Sequence, residues 1–124
     1  RLPHIKLSKD SYDFSFSGLK SAVINLHNKC RTKGEELNYN DLAASFQDAV
    51  IDVLVSKTIR AAKEYQAKQV LIAGGVAANS GLRQKMKEEV TKLNIKFTVP
   101  SPKNCTDNAA MIGVAGYFQI LYKK

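Results

Sequence analysis

QVLIAGGVAANSGLRQKMKEEVTKLNIKFTVPSPKNCTDNAA, residues 69–110, decides the fold of this chain. Its first seven residues are a short apolar, β-branched run ending in Gly74 and Gly75, as in a buried parallel strand. VAANSGLRQKMKEEVTKL then reads as a turn and a helix capped near Asn79 or Ser80. KFTVPSP is a second strand, with Phe97 and Val99 on one side and Lys96 and Thr98 on the other. TDNAAMIGVAGYFQILYKK is a mostly apolar helix, and its closing Lys123 and Lys124 suit the negative end of the helix dipole. A strand–helix–strand crossover makes its two strands parallel, because the chain must return to the same end before re-entering the sheet. Both strand-to-helix turns, AGGVAAN and PSPKNCTDN, therefore belong at one carboxyl edge, where open α/β sheets hold ligands. Neighbouring strands are about 5 Å apart. Asn79 and Asp107 are accordingly expected to face one crevice. The expected class is α/β: a parallel βαβα unit preceded by helices.

Residues before this unit read as packing. Residues 1–12 lack periodicity and form an irregular lead-in. Phe14 and Phe16 alternate with Ser15 and Ser17, predicting a short extended piece. Ser17 is then the expected N-cap of a helix burying Leu19, Val23 and Leu26. After the polar connection RTKGEELNYN, Asn40 or Asp41 is expected to cap a long helix running on through IRAAKEYQAK. Its apolar stripe is Leu42, Phe46, Ala49, Val50, Val53 and Leu54, and nothing in that spacing suggests chemistry.

The 124 residues are one domain's worth of chain, read as a single partial domain over 1–124. The chain starts at Arg1 and not at methionine, so a piece of a longer protein is expected. No apolar run approaches the roughly 20 residues that span a bilayer, and no signal-peptide pattern is present. Cys30 and Cys105 are too few for a disulfide framework and are read as reduced thiols of a cytoplasmic protein. His4, His27, Cys30 and Cys105 stand at no local metal-ligand spacing. The net charge of +8 favours an anionic partner such as RNA or a nucleotide. Much of it, including Arg83, Lys85, Lys87 and Lys92, also suits a solvated helix face.

Several positions bear on chemistry. Gly74 and Gly75 permit a sharp turn and close backbone approach to a ligand. The helix starting near Asn79 presents unpaired N–H groups suited to phosphate or carboxylate. The segment matches neither GxGxxG nor GxxxxGK[ST], and the alternative reading is a tight strand-to-helix turn without ligand. Asp107 is either the cap of the last helix or a hard oxygen ligand for a cation; one carboxylate alone holds no catalytic metal. Ser15, Ser17 and Lys20 in FSFSGLK read as an anion site or a plain helix start. His4 and His27 read as surface or packing residues, and Cys105 as a structural thiol.

Together, FSFSGLKSAV, DLAASFQDAVIDVLVSKT, LIAGGVAANSGLR and PSPKNCTDNAAMIGVAG resemble the C-terminal lobe of the tRNA adenosine threonylcarbamoyltransferase family, formerly described as O-sialoglycoprotein endopeptidases. The resemblance runs from about Asp13 to Gly116. It implies part of an actin-like fold of two lobes around a cleft. It also implies transfer of a threonylcarbamoyl group from threonylcarbamoyl-adenylate to the adenosine beside the tRNA anticodon, with release of AMP. Asn79 would contact the bound substrate or nucleotide (threonylcarbamoyl-AMP, ATP or ADP), and Gly74 and Gly75 would line that pocket by backbone. Asp107 would join two histidines of an HxxxH motif in holding iron or zinc, so that it serves as cap and ligand together. HxxxH occurs nowhere in this chain, which is expected to be inactive alone and to identify no catalytic residue of its own. Partners implied are tRNA, an actin-like paralogue and a small ATPase subunit. Self-association through exposed apolar surface is a further expectation. The alternatives are a non-catalytic scaffold paralogue of the same fold and a metallopeptidase; no HExxH helix or protease triad supports the latter.

Overall fold

The computed structural model describes residues 11–123. The expected irregular lead-in, His4 and Lys124 lie largely or wholly outside them. The elements are α1 (Ser17–Lys33), α2 (Tyr39–Glu64), β1 (Gln69–Leu71), α3 (Ser80–Thr91), β2 (Lys96–Thr98) and α4 (Ala109–Leu121). Short 3-10 turns at Gly75–Ala78 and Pro102–Asn104 precede α3 and α4. Two compact units result, the first ending at Ala67 and the second beginning at Lys68.

In the first unit α1 packs on α2. Leu19 and Ala49 are buried, with Ala22, Val23, Leu42, Phe46 and Val50 packed around them. Leu26 stays exposed, and α2 buries Ile51, Val55 and Ala62 in addition to Ala49, a wider face than the predicted stripe. Both predicted caps of this unit move. α1 begins at Ser17 itself, with Phe16 at the cap position and no side-chain cap bond. Phe14 and Phe16 lie in no strand, and their rings stack 6.3 Å apart. α2 is capped by Asn38, whose Oδ1 accepts from the N–H groups of Asn40 at 3.0 Å and Asp41 at 3.2 Å. An Asn two residues earlier serves because Tyr39 already adopts helical backbone.

Each of these helices ends in a left-handed residue. At α1, Gly34 has φ 67°, and the N–H of Glu35 returns to the Cys30 carbonyl at 3.0 Å. At α2 the same geometry falls on Gln66, φ 49°, with the Ala67 N–H on the Ala62 carbonyl at 2.9 Å. This pairing satisfies carbonyls that have no partner within the helix. Ahead of α1, residues 11–14 lie along α2. Lys57 donates to the Asp13 carbonyl, and Arg60 donates to the Ser11 carbonyl at 2.9 Å. The Arg60 guanidinium sits 4.4 Å over the Tyr12 ring, and the Tyr12 hydroxyl donates to Glu64. That bond to Glu64, reinforced by loss of water and by the Glu64 charge, raises the Tyr12 phenol pKa, although Arg60 pulls it down.

The second unit is the strand–helix–strand–helix segment read from sequence. β1 and β2 are neighbours and parallel, in the register Gln69↔Lys96, Val70↔Phe97, Leu71↔Thr98. Val70, Ala77, Leu82, Met86, Val90 and Cys105 form its buried set. α4 is different in kind. Among its described residues none is buried, and Ile112, Tyr117 and Ile120 are 65%, 61% and 77% exposed.

Candidate functional site

The parallel pairing of β1 and β2 brings both candidate turns to the same sheet edge. The Ile72 N–H donates to the Thr98 carbonyl at 3.2 Å, extending the pairing to the point where the first turn starts. Gly74 then takes φ 86°, a conformation that L side chains rarely adopt, although a Cβ there would meet no atom within 4 Å. Gly75 has an ordinary φ and equally open space. Only the first of the two glycines is thus demanded by the turn itself.

From Gly74 the chain closes one 3-10 turn. The Ala77 N–H reaches the Gly74 carbonyl and the Asn79 N–H reaches the Val76 carbonyl, each at 3.0 Å. Asn79 is the cap of α3: its Oδ1 accepts from the Leu82 N–H at 2.9 Å. The expected capping position is therefore correct, and the half-buried Asn79 side chain already has work within the fold.

The second turn departs from expectation at Asp107. The cap of α4 is Asn108, whose Oδ1 accepts from the Met111 N–H at 2.9 Å while its Nδ2 donates to the Thr106 carbonyl at 3.1 Å. Asp107 lies just before the cap, exposed, and its carboxylate makes no hydrogen bond or ion pair among the described residues. The reading of Asp107 as a cap is overturned. Asn108 caps as well as Asp does, and its extended backbone, φ −151° and ψ 151°, is the cap conformation.

Arg83, which the sequence placed on a solvated face, is half-buried and belongs to both turns. Its Nε donates to the Ala77 carbonyl in the first, and its NH2 nitrogen donates to the Pro100 carbonyl at 3.0 Å in the second. The same nitrogen lies 3.2 Å from the Cys105 sulfur, which is buried at 5% exposure. The signal was present: Arg83 stands four residues after Asn79, one helical turn along the same face. An open groove of about 660 Å³ runs beside it, lined by Ser80, Arg83, Gln84, Lys87, Phe97, Thr98 and Val99. None of Gly74, Gly75, Asn79 and Asp107 lines that groove.

Among the described residues no three His, Cys, Asp or Glu side chains gather as a metal cluster. Asp107 fits a metal as a single anionic oxygen donor, since no partner among the described residues occupies it, and other ligands must come from elsewhere. Both cysteines are free and buried, and His27 stacks obliquely on Tyr39 at 6.2 Å. No helix among the described residues is long and apolar enough to cross a membrane.

Residues 1–114 match the model of the tRNA N6-adenosine threonylcarbamoyltransferase family. The chain is 55% identical over 116 residues to the tRNA N6-adenosine threonylcarbamoyltransferase of Staphylococcus saprophyticus, covering 94% of this chain and 34% of that protein. It is 52% identical over 124 residues to the Geobacillus kaustophilus protein of the same name, covering 99% of this chain and 36% of the relative. A Staphylococcus aureus relative with that name is 56% identical over 117 residues, 94% of this chain and 34% of its own length. The chain thus spans about a third of the curated relatives it matches. A match over residues 1–114, across the helical unit and both site turns, establishes that the chain belongs to the tRNA N6-adenosine threonylcarbamoyltransferase family.

Proposed function

We propose that this chain forms one wall of the ligand cleft of an actin-like, two-lobed enzyme that transfers a threonylcarbamoyl group from threonylcarbamoyl-adenylate to a tRNA adenosine. The observation that carries the reading is the release of Asp107 from capping duty, beside a turn that follows the neighbouring parallel strand. A carboxylate with no partner among the described residues, at a sheet edge, is available for a cation. In this reading Asp107 supplies one oxygen to an iron or zinc ion whose two histidine ligands lie outside this chain. When bound, such a metal acts as a Lewis acid that polarises an acyl oxygen.

The chain's own residues bind and orient. Gly74 and Gly75 admit an adenylate to the backbone of the first turn, where no Cβ stands in the way. The first turn of α3 offers N–H groups and the positive end of its dipole to phosphate. Asn79 contacts the nucleotide from the half-buried start of that helix. The net charge of +8 favours an anionic partner such as tRNA. The match to the transferase family model favours this activity over a scaffold or a peptidase.

α4 supports the reading of the chain as part of a larger fold. A helix apolar all round is ordinarily an interior helix, yet this one buries nothing here. In this reading the chain alone is inactive, and it self-associates through α4 until a covering partner is supplied.

The test replaces the matching 116-residue segment of the Staphylococcus saprophyticus relative with this sequence, with and without Asp107→Asn. The unsubstituted chimera is expected to carry metal and to modify tRNA; the variant is expected to fold equally and lose both. A variant that retains full metal content and transfer activity removes Asp107 from the ligand set.

A further inference from the structure

We propose that Arg83 is a positioning residue that fixes the two candidate turns to each other, so that Asn79 and Asp107 are held in one spacing. The proposal rests on the reading of those two residues as site residues. Its geometry is specific. One guanidinium donates to Ala77 in the turn after β1, and to Pro100 and Cys105 in the turn after β2. Ala77 lies two residues before Asn79, and Cys105 lies two residues before Asp107. Each turn is therefore gripped at the same short distance along the chain from its site residue.

The main chain of Arg83 completes the grip, because its N–H donates to the Asn79 carbonyl at 3.1 Å. Asn79 is thus tied to Arg83 directly, while Asp107 is tied through Cys105. The remaining hydrogen bonds within the second turn are local, among them the Asn104 N–H to the Ser101 carbonyl at 2.9 Å. The Cys105 N–H reaches the Pro102 carbonyl at 3.2 Å, and its sulfur lies 3.5 Å from the Ser101 carbonyl. The strands themselves are three residues each and end before either turn, so the sheet cannot set this spacing alone.

Arginine suits this position for a stated reason. A planar guanidinium carries five N–H donors in fixed directions, enough to serve acceptors on two segments at once. Lysine has equal charge but a compact ammonium on a flexible stem, without the planar fork that bridges separated acceptors. Charge alone would be restored by Arg83→Lys; the bridge would not.

The experiment uses the full 124-residue chain with Arg83→Lys and Arg83→Gln, controlled for folding by circular dichroism. Amide hydrogen exchange is read at Asn79 in the first turn and at Met111 after the second. Alkylation of Cys105 by iodoacetamide is followed by peptide mapping, which separates it from Cys30. In both variants exchange is expected to speed up by about tenfold at both turns together, with a similar gain in Cys105 alkylation, as on loss of a buried hydrogen bond. Should Arg83→Gln fail to fold, Arg83→Lys decides. Protection restored by lysine, or loosening confined to one turn, overturns the clamp. AMP is added as a separate probe, with backbone amide shifts read at Gly74 and Gly75. Absence of AMP binding by the unsubstituted chimera described above sinks the nucleotide reading of that turn, whereas the exchange and alkylation data judge the clamp independently.

Discussion

The side-chain oxygen of Asn108 accepts the Met111 N–H at 2.9 Å, and this bond starts α4 without help from the carboxylate of Asp107 next door. Asn108→Ala should therefore weaken α4 by about 1 kcal/mol, the usual worth of a side-chain cap. Asp107→Asn should leave it unchanged. Amide exchange at Met111 and Ile112 checks both, and equal effects from the two substitutions would return Asp107 to the cap.

The two glycines of the first turn are predicted to part company. Gly74→Ala forces a side chain into φ 86°, and should destabilise the second unit by about 1–2 kcal/mol. Gly75→Ala meets neither strain nor neighbours and should fold normally. If an adenylate approaches the backbone at Gly75, the added methyl should nonetheless reduce AMP binding. Chemical denaturation separates the first effect from the second, and calorimetry with AMP reads the second.

Gln66 holds a left-handed conformation, φ 49°, at the end of α2. Gln66→Gly should raise stability by several tenths to about 1 kcal/mol, because glycine adopts that conformation without a Cβ clash. Urea denaturation monitored by helix signal tests this. No gain, or a loss, would mean that the Gln66 side chain makes contacts worth more than the strain.

Tyr12 donates its hydroxyl to Glu64, and its phenol pKa is raised, first by that hydrogen bond. The folded value exceeds the unfolded one. The contribution to stability is thus complete below the ordinary phenol value of about 10 and disappears as pH climbs through the raised folded value. The difference in stability between the chain and Tyr12→Phe should be flat at neutral pH and shrink only in strong alkali. Subtracting the ultraviolet titration of Tyr12→Phe from that of the parent gives the Tyr12 curve, and a midpoint at or below the ordinary value contradicts the hydrogen bond.

α4 leaves Ile112, Tyr117 and Ile120 in solvent, so the chain should associate as concentration rises. Replacing Ile120, 77% exposed, by Lys should shift light-scattering masses towards monomer without loss of helix. A parent chain monomeric at all concentrations would contradict association through α4.

The parallel βαβα unit was legible because its signals are local: a β-branched run closed by glycines, and helix periodicity between two such runs. Asn79 was legible for the same reason, since a cap is recognised from its immediate successors. Capping choices elsewhere were not. Asn38, Phe16 and Asn108 displaced Asn40 or Asp41, Ser17 and Asp107, because several adjacent polar residues cap almost equally well and small differences in backbone path select one. The third strand-like signal, Phe14 and Phe16, gave no strand: those aromatics stack on each other, and among the described residues no strand pairs with them.

Sequence by itself thus determined the order of elements, the parallel pairing and the family, since periodicity and motif spacing are properties of neighbours along the chain. Only the tertiary structure decided what Arg83 and Asp107 do. Composition counts Arg83 as one more solvated charge, whereas the fold brings the Ala77 and Pro100 carbonyls and the Cys105 sulfur within reach of its guanidinium. Asp107 looks like a cap in one dimension, and Asn108 takes that bond in three. The Arg83 bonds to Pro100 and Cys105 join segments 17 and 22 residues apart and depend on where the backbone finally lies, which no local pattern encodes. The Asn108 cap is instead a choice between neighbours that small differences in backbone path decide.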